Sequence, residues 1–227
     1  MRSVPALLIA SLITFPAVAG GAKPAVARRL VDAEAVLKAL ATAPDKGIPK
    51  DLLEKAECIG VFPGVKKGAF VVGGEYGHGV FTCREKDGTM GPPAFFTMGG
   101  GSFGWQFGGQ EADLVLLVMN DDGIKHLLSD KFTVGAEASA AAGPVGRSAE
   151  AATDAQLHAQ ILSWSRSRGL FLGASLAGTV IKPDVRSTDA FYDAPIAARE
   201  ILTRPPTSVP REAEAFMKTT DTYARHS

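Results

Sequence analysis

Cys58-Ile59-Gly60-Val61-Phe62-Pro63-Gly64-Val65-Lys66-Lys67-Gly68-Ala69-Phe70-Val71-Val72 is the stretch whose reading decides the fold. Cys58 to Phe62 and Ala69 to Val72 are short runs rich in β-branched and aromatic residues, and proline and glycine separate them. The same texture returns at Gly79 to Arg84, Ala94 to Met98, Phe103 to Phe107 and Leu114 to Met119, which predicts antiparallel strands with tight connections. Leu114-Val115-Leu116-Leu117-Val118-Met119 does not alternate, so this strand is expected to be central and covered on both faces. Ile161 to Ser165 and Leu170 to Ile181 read as later strands, the second bent at Gly173 and Gly178. The small residues of Thr133 to Ala142 suit close packing of another layer.

Outward from this β region the period becomes helical. From Ala25 to Ala43, Val26, Leu30, Ala33, Leu37 and Ala41 recur at three- and four-residue steps, with Arg28, Asp32 and Lys38 elsewhere on the helix. Pro49 opens a second, shorter helix through Lys55. Asp121-Asp122 is expected to cap a short helix carrying Ile124, Leu127 and Leu128. Past Pro183, Ala194 to Leu202 and Arg211 to Tyr223 read as terminal helices. The fold class is therefore α+β, a strongly curved antiparallel β-sheet flanked by N- and C-terminal helices.

The first residues have the form of an export signal. Arg2 supplies the positive start, Ala6 to Phe15 is almost wholly apolar, and Ala17-Val18-Ala19 has the small-residue form that a signal peptidase accepts. The expectation is a signal peptide over residues 1–19 cleaved after Ala19, and a single exported, periplasmic domain over residues 20–227. The whole chain of 227 residues carries 24 Lys+Arg against 24 Asp+Glu, which argues against a general nucleic-acid binder. An oxidising compartment permits a disulfide between Cys58 and Cys83, whose loop closure would contribute roughly 3 kcal/mol. Two small buried thiols remain the alternative, because sequence spacing does not reveal Cα separation.

Catalytic and metal motifs are weak. Gly99-Gly100-Gly101-Ser102-Phe103-Gly104 fits both G-x-G-x-x-G and G-x-S-x-G, the second with Asp113 and His126 or His158 as partners, but the helix that each pattern requires does not follow. A glycine-rich hairpin is the stronger reading. His78, His126, His158 and His226 are scattered, so no metal site, cofactor or catalytic residue is assigned. Gly143 to Ser148 reads as a turn, with Arg147 open to an anion. The candidate lipid-binding residues are basic: Arg28, Arg29 and Lys38 on the first helix, Lys66 and Lys67 in a tight loop, and Arg166 and Arg168 beside a turn. Each cation near an anionic surface adds about 1 kcal/mol if several share a face.

The order of several blocks is itself distinctive. Ala56 to Pro63, Lys67 to Gly74, Pro93 to Phe96, Gly100 to Gly108, Asp113 to Leu116, Gly135 to Ser139, Ala142 to Arg147 and Ser163 to Gly173 together resemble the SYLF domain, also called the Ysc84 actin-binding domain, over roughly Arg28 to Leu202. That resemblance implies a non-enzymatic, lipid-binding module. Eukaryotic members bind phosphoinositide membranes, partly through an N-terminal amphipathic helix, and some bundle actin. For an exported chain the expected partner is an anionic phospholipid surface rather than actin. A structural or protein-interaction role in the cell envelope is the alternative.

Overall fold

The computed structural model describes residues 22–43, 47–69, 73–102, 108–144, 158–167, 170–173 and 176–225. Helix α1 (Ala22–Ala41) places Val26, Leu30, Ala33, Leu37 and Leu40 on one face, each at most 4% exposed. Its apolar stripe is therefore core. Pro49 is the N-cap residue of α2 (Lys50–Lys55), one position earlier than the sequence suggests.

Nine strands follow: β1 (Cys58–Ala69), β2 (Gly73–Cys83), β3 (Ala94–Ser102), β4 (Gly108–Val118), β5 (Phe132–Thr133), β6 (Ala140–Ala142), β7 (Ile161–Ser167), β8 (Leu170–Gly173) and β9 (Val180–Pro183). They form one strongly curled sheet in the order β5-β9-β3-β2-β1-β4-β7-β6, with β8 also paired to β7. β1, β2 and β3 make a meander, and the chain then crosses to the far side of β1, where β4 lies between β1 and β7. Among the described residues the remaining helices are α3 (Asp121–Leu127), α4 (Val185–Tyr192), α5 (Ala198–Thr203) and, after a 3-10 turn at Arg211–Ala213, α6 (Glu214–Ala224). The class is α+β.

Strand alternation sends side chains to two cores. On one face Ile59, Val61, Val80, Phe95, Val115, Leu117, Leu162 and Trp164 meet α1, Leu53 of α2, Phe191 of α4 and Phe216 of α6. On the other, Phe62, Phe81, Phe96, Met98, Leu114, Leu116 and Val118 meet Leu127 of α3, Phe132, Ile181 and Ile201 of α5. Both faces are covered, which explains the unbroken apolar run in β4. Glycine inside strands has a steric cause at Gly60 and Gly79: an added Cβ would lie 2.4 Å from the Phe81 ring in the first case and 2.4 Å from the Phe62 ring in the second. The two rings pack edge to face at 5.8 Å over these glycines.

Several expectations change. Lys66 and Lys67 do not lie in a loop after Cys58 to Phe62; one strand, β1, runs from Cys58 through both lysines to Ala69, and Phe70 to Val72 lie outside the described residues. Gly99–Ser102 is not a hairpin but the end of β3, paired to β2, because β3 and β4 are separated by two other strands. Phe103 to Phe107 lies outside the described residues. The pairing of β6 with β7 is parallel, so the sheet is mixed rather than purely antiparallel. Leu170 to Ile181 contains two strands, β8 and β9. They pair with β7 and β3 respectively, and Gly178 has φ +87 in the turn before β9. Asn120, not Asp121 or Asp122, caps α3 by accepting from the Gly123 amide at 2.9 Å. Helix α4 lies where no helix is expected, and α5 begins at Ala198 rather than Ala194.

Cys58 and Cys83 face each other in the β1–β2 register, Cα atoms 4.0 Å apart, and are joined by a disulfide. Next to it, Arg84 reaches across three elements. Its guanidinium donates to the carbonyl oxygens of Glu54 and Ala56 at the end of α2, of Gly88, and of Ala224 in the last turn of α6. One half-buried cation thus ties the chain's last described helix to the sheet.

Candidate functional site

The site is built by an irregularity in β1. Before Pro63, odd-numbered residues face the helices and even-numbered residues face the opposite core. The register then shifts between Val61 and Lys66 against β2, and between Phe62 and Val65 against β4. Pro63-Gly64 is the bulge, with Gly64 at φ +58, a conformation that glycine adopts without a side-chain penalty. The parity flips, and even-numbered Lys66 now lies on the helix-bearing face beside Tyr76 of β2 and Glu111 of β4.

Two adjoining clefts follow this bulge along the solvent side of α1, and both are lined by Asp32, Pro63 and Gly64. The first, about 390 Å³, is completed by Arg28, Arg29, Lys66, Tyr76 and His78. The second, about 400 Å³, adds Glu111, Asp113 and Arg166. The cations therefore gather at the β2 end and the carboxylates at the β4 end.

The candidate cations differ in what they are free to do. Arg28 is 79% exposed, and among the described residues its ion-pair partner is Asp32, at 3.6 Å one helical turn away, a geometry that contributes little. Lys66 is exposed and has no ion-pair partner among the described residues. Arg29 is only 17% exposed; its Nη1 reaches Asp184 at 3.3 Å and the Ser187 hydroxyl at 3.4 Å, and its guanidinium lies 5.6 Å from the centre of the Phe95 ring. It pins α1 to α4 and the sheet, so its expected place among surface lipid contacts is corrected. Arg166 is likewise engaged, with Nε and Nη2 donating to Asp113 Oδ2 at 3.0 and 2.5 Å. Asp113 also accepts from the Gly64 amide and so holds the bulge. Lys38 is exposed near the end of α1 and lines neither cleft. The Lys67 backbone belongs to β1; its side chain and all of Arg168 and Arg147 lie outside the described residues.

Asp184 organises the first cleft from below. Burial alone would raise its carboxyl, but the Ser187 hydroxyl and amide and the Arg29 guanidinium outweigh that and hold it below the usual carboxylate value. The same carboxylate caps α4 through the Ser187 amide. His78 Nδ1 lies 3.4 Å from Asp184 Oδ2. Burial first, and Arg29 second, lower the imidazole below its ordinary value, against the opposing pull of Asp184. Its other nitrogen, Nε2, is 2.8 Å from the Tyr76 hydroxyl. Neither His78 nor Tyr76 is among the sequence candidates, because a scattered histidine carries no motif; their alternation with Val80 along β2 is the only available signal.

The alternative catalytic reading meets two obstacles. Gly99–Ser102 is extended strand, which cannot supply the strand–turn–helix elbow of G-x-S-x-G, and Asp113 is committed to Arg166. Among the described residues no group of histidine, cysteine or carboxylate side chains could hold a metal, and no helix is long and apolar enough to cross a membrane.

These features define a class of protein: an α+β module whose curled sheet and docked first helix present a charged trough at the surface. The chain belongs to the Ysc84 family, described as Las17-binding protein actin regulators, whose model matches residues 99–223. It is 35% identical to LAS seventeen-binding protein 3 of Saccharomyces cerevisiae over 171 residues, 73% of this chain and 37% of that protein. Protein YSC84 of the same yeast is 32% identical over 161 residues, 70% of this chain and 34% of that protein. SH3 domain-containing YSC84-like protein 1 of Homo sapiens is 29% identical over 181 residues, 79% of this chain and 52% of that protein. The chain thus spans between about a third and about half of the length of these relatives.

Proposed function

We propose that this chain is an exported, periplasmic module that associates peripherally with phospholipid membranes carrying anionic headgroups. The observation that carries the reading is the pair Arg28 and Lys66, brought from different elements to one cleft and free of strong intramolecular partners. The contact is made by the polar side of α1 and not by its apolar stripe, which is committed to the core.

Flotation of the purified protein with vesicles tests this. Binding to vesicles containing phosphatidylglycerol should exceed binding to phosphatidylcholine alone and should weaken with salt, since surface charges are screened over about 8 Å at physiological ionic strength. Arg28→Glu with Lys66→Glu should lower binding without altering the fold. Equal flotation of wild type and the double variant would overturn the assignment.

A second reading comes from the names of the relatives. A family described as Las17-binding and actin-regulating supports a protein partner. Retention of the protein by filamentous actin in a spin assay, lost in the same double variant, would move the function from lipid to protein.

A further inference from the structure

Tyr76 and His78, which line the first cleft, and Thr97, beside His78 on the neighbouring strand, are left unused by the membrane reading. Tyr76 is 54% exposed, and its hydroxyl meets His78 Nε2 at 2.8 Å, the two rings edge to face at 4.9 Å. His78 Nδ1 points inward, buried and without a hydrogen bond, 3.4 Å from Asp184 Oδ2. Thr97, directly opposite His78 on β3, also has a buried hydroxyl oxygen with no partner. A histidine with one nitrogen on an exposed phenol and the other beside a half-buried carboxylate is arranged to relay charge between the cleft and Asp184.

The position of one proton decides what Tyr76 can offer. With a neutral imidazole whose hydrogen is on Nδ1, Nε2 is an acceptor, the phenol donates its only proton to it, and the phenol oxygen faces the cleft with lone pairs. With a protonated imidazole, Nε2 donates to the phenol oxygen and the phenol proton is free to point into the cleft. Only the second arrangement suits an anion, and Asp184 is placed to stabilise it. The charged and polar groups around His78 are Arg28, Arg29 and Asp32 from α1, Lys66 from β1, Tyr76 from β2, Thr97 from β3, Lys182 opposite Thr97 on β9, and Asp184 at the cap of α4.

We propose that the cleft of Arg28, Lys66 and Tyr76 binds a tetrahedral oxyanion of fixed charge, a phosphodiester, and that binding takes up one proton at His78. The proposal rests on the membrane reading only for the source of that phosphodiester, a lipid headgroup or a free one. Arg28 and Lys66 supply charge, and the Tyr76 hydroxyl supplies a directed donor that exists when His78 is protonated. Near neutral pH, burial and Arg29 keep the imidazole uncharged, so the resting cleft lacks that donor. An anion in the cleft favours the imidazolium, and by linkage the imidazolium favours the anion to the same extent.

The test is an NMR titration of the full chain, following the His78 imidazole, identified by its absence in His78→Gln. It is run alone, with glycerophosphoglycerol, and with phosphatidylglycerol vesicles against phosphatidylcholine vesicles. Both phosphodiesters keep one charge across the range, so any proton taken up belongs to the protein. The expected result is a His78 midpoint raised by about one unit, and binding about fivefold tighter near pH 5.5 than near pH 7.5. Tyr76→Phe should remove most of that ratio.

Proton-linked binding of the vesicles alone supports a headgroup site. The same behaviour with the soluble diester and no vesicle binding supports the site and overturns the membrane reading. Vesicle binding equal at both pH values with the His78 midpoint unmoved overturns the site and leaves the membrane reading standing. A full pH ratio in Tyr76→Phe, or no binding of either probe, also overturns it.

Discussion

Arg28 and Arg29 stand side by side in the sequence, yet one faces water and the other is held by Asp184. The helical pattern gives both the same reading, because a step of one residue still leaves each outside the apolar stripe. What separates them is a partner 155 residues away, at the cap of a helix that no sequence signal announced. Charge reversal of both arginines is consequently a poor probe of surface binding, since Arg29→Glu would place two carboxylates together under α1. Asp184→Asn should destabilise the fold by roughly 2–4 kcal/mol in chemical denaturation, because it leaves Arg29 without its counter-charge and weakens the α4 cap. The pH dependence has a definite sign. The Asp184 carboxyl is depressed in the folded state, so its contribution is fully present above the ordinary carboxylate value of about 4 and is lost as pH falls through the lower folded value. Wild type should lose stability over that acidic range more steeply than Asp184→Asn. Parallel acid-denaturation curves for the two would reject the role of this ion pair.

At the scale of elements, Pro63-Gly64 does more than separate two β-rich runs. It is a bulge within one strand, and the single register step carries Lys66 to the helix-bearing face. Its glycine has two constraints, φ +58 and an Glu111 carboxylate oxygen that would lie 2.6 Å from an added Cβ. Gly64→Ala should therefore cost about 1–2 kcal/mol from the left-handed backbone, measured by denaturation, and lower vesicle binding by displacing Lys66. Full stability in Gly64→Ala would show that the bulge relaxes freely. The neighbouring disulfide gives a second check: non-reducing peptide mapping should recover Cys58 linked to Cys83, and reduction should cost roughly 3 kcal/mol. The existence of the β runs and the central, doubly covered place of Leu114 to Val118 were legible in the residues, since apolar periodicity reports burial directly. Strand lengths, the parallel β6–β7 pair and the bulge were not. Polar residues such as Lys66, Glu111 and Asp113 extend β1 and β4 past the apolar runs, and partners distant in sequence determine their pairing. Arg28 and Lys66 were found individually from their charge; their meeting at one cleft depends on the register.

For the whole molecule the decisive question is whether α1 can leave the sheet to enter a membrane. The resemblance to the SYLF domain points to an amphipathic N-terminal helix, and α1 is amphipathic, but Val26, Leu30, Ala33, Val36, Leu37 and Leu40 already face α4, α6 and the sheet. Transfer of α1 into lipid would return its own apolar area to a nonpolar phase. It would also uncover Ile59, Val61 and Val115, which share the core of α1 on the strands it packs against. At about 1.5–3 kcal/mol for each large side chain exposed, the uncovered sheet alone costs on the order of 10 kcal/mol, comparable with the whole stability of a domain. Undocking also breaks the Arg29–Asp184 pair. The helix therefore stays in place, and on the proposed reading a membrane would meet its polar side. Hydrogen exchange of the vesicle-bound protein is expected to show α1 amides protected as strongly as in the free protein, with reduced exchange around the Pro63-Gly64 bulge and Tyr76. Loss of protection along α1 on binding, with faster exchange in β1 and β4 beneath it, would instead mean that the helix inserts and that the trough is not the contact surface.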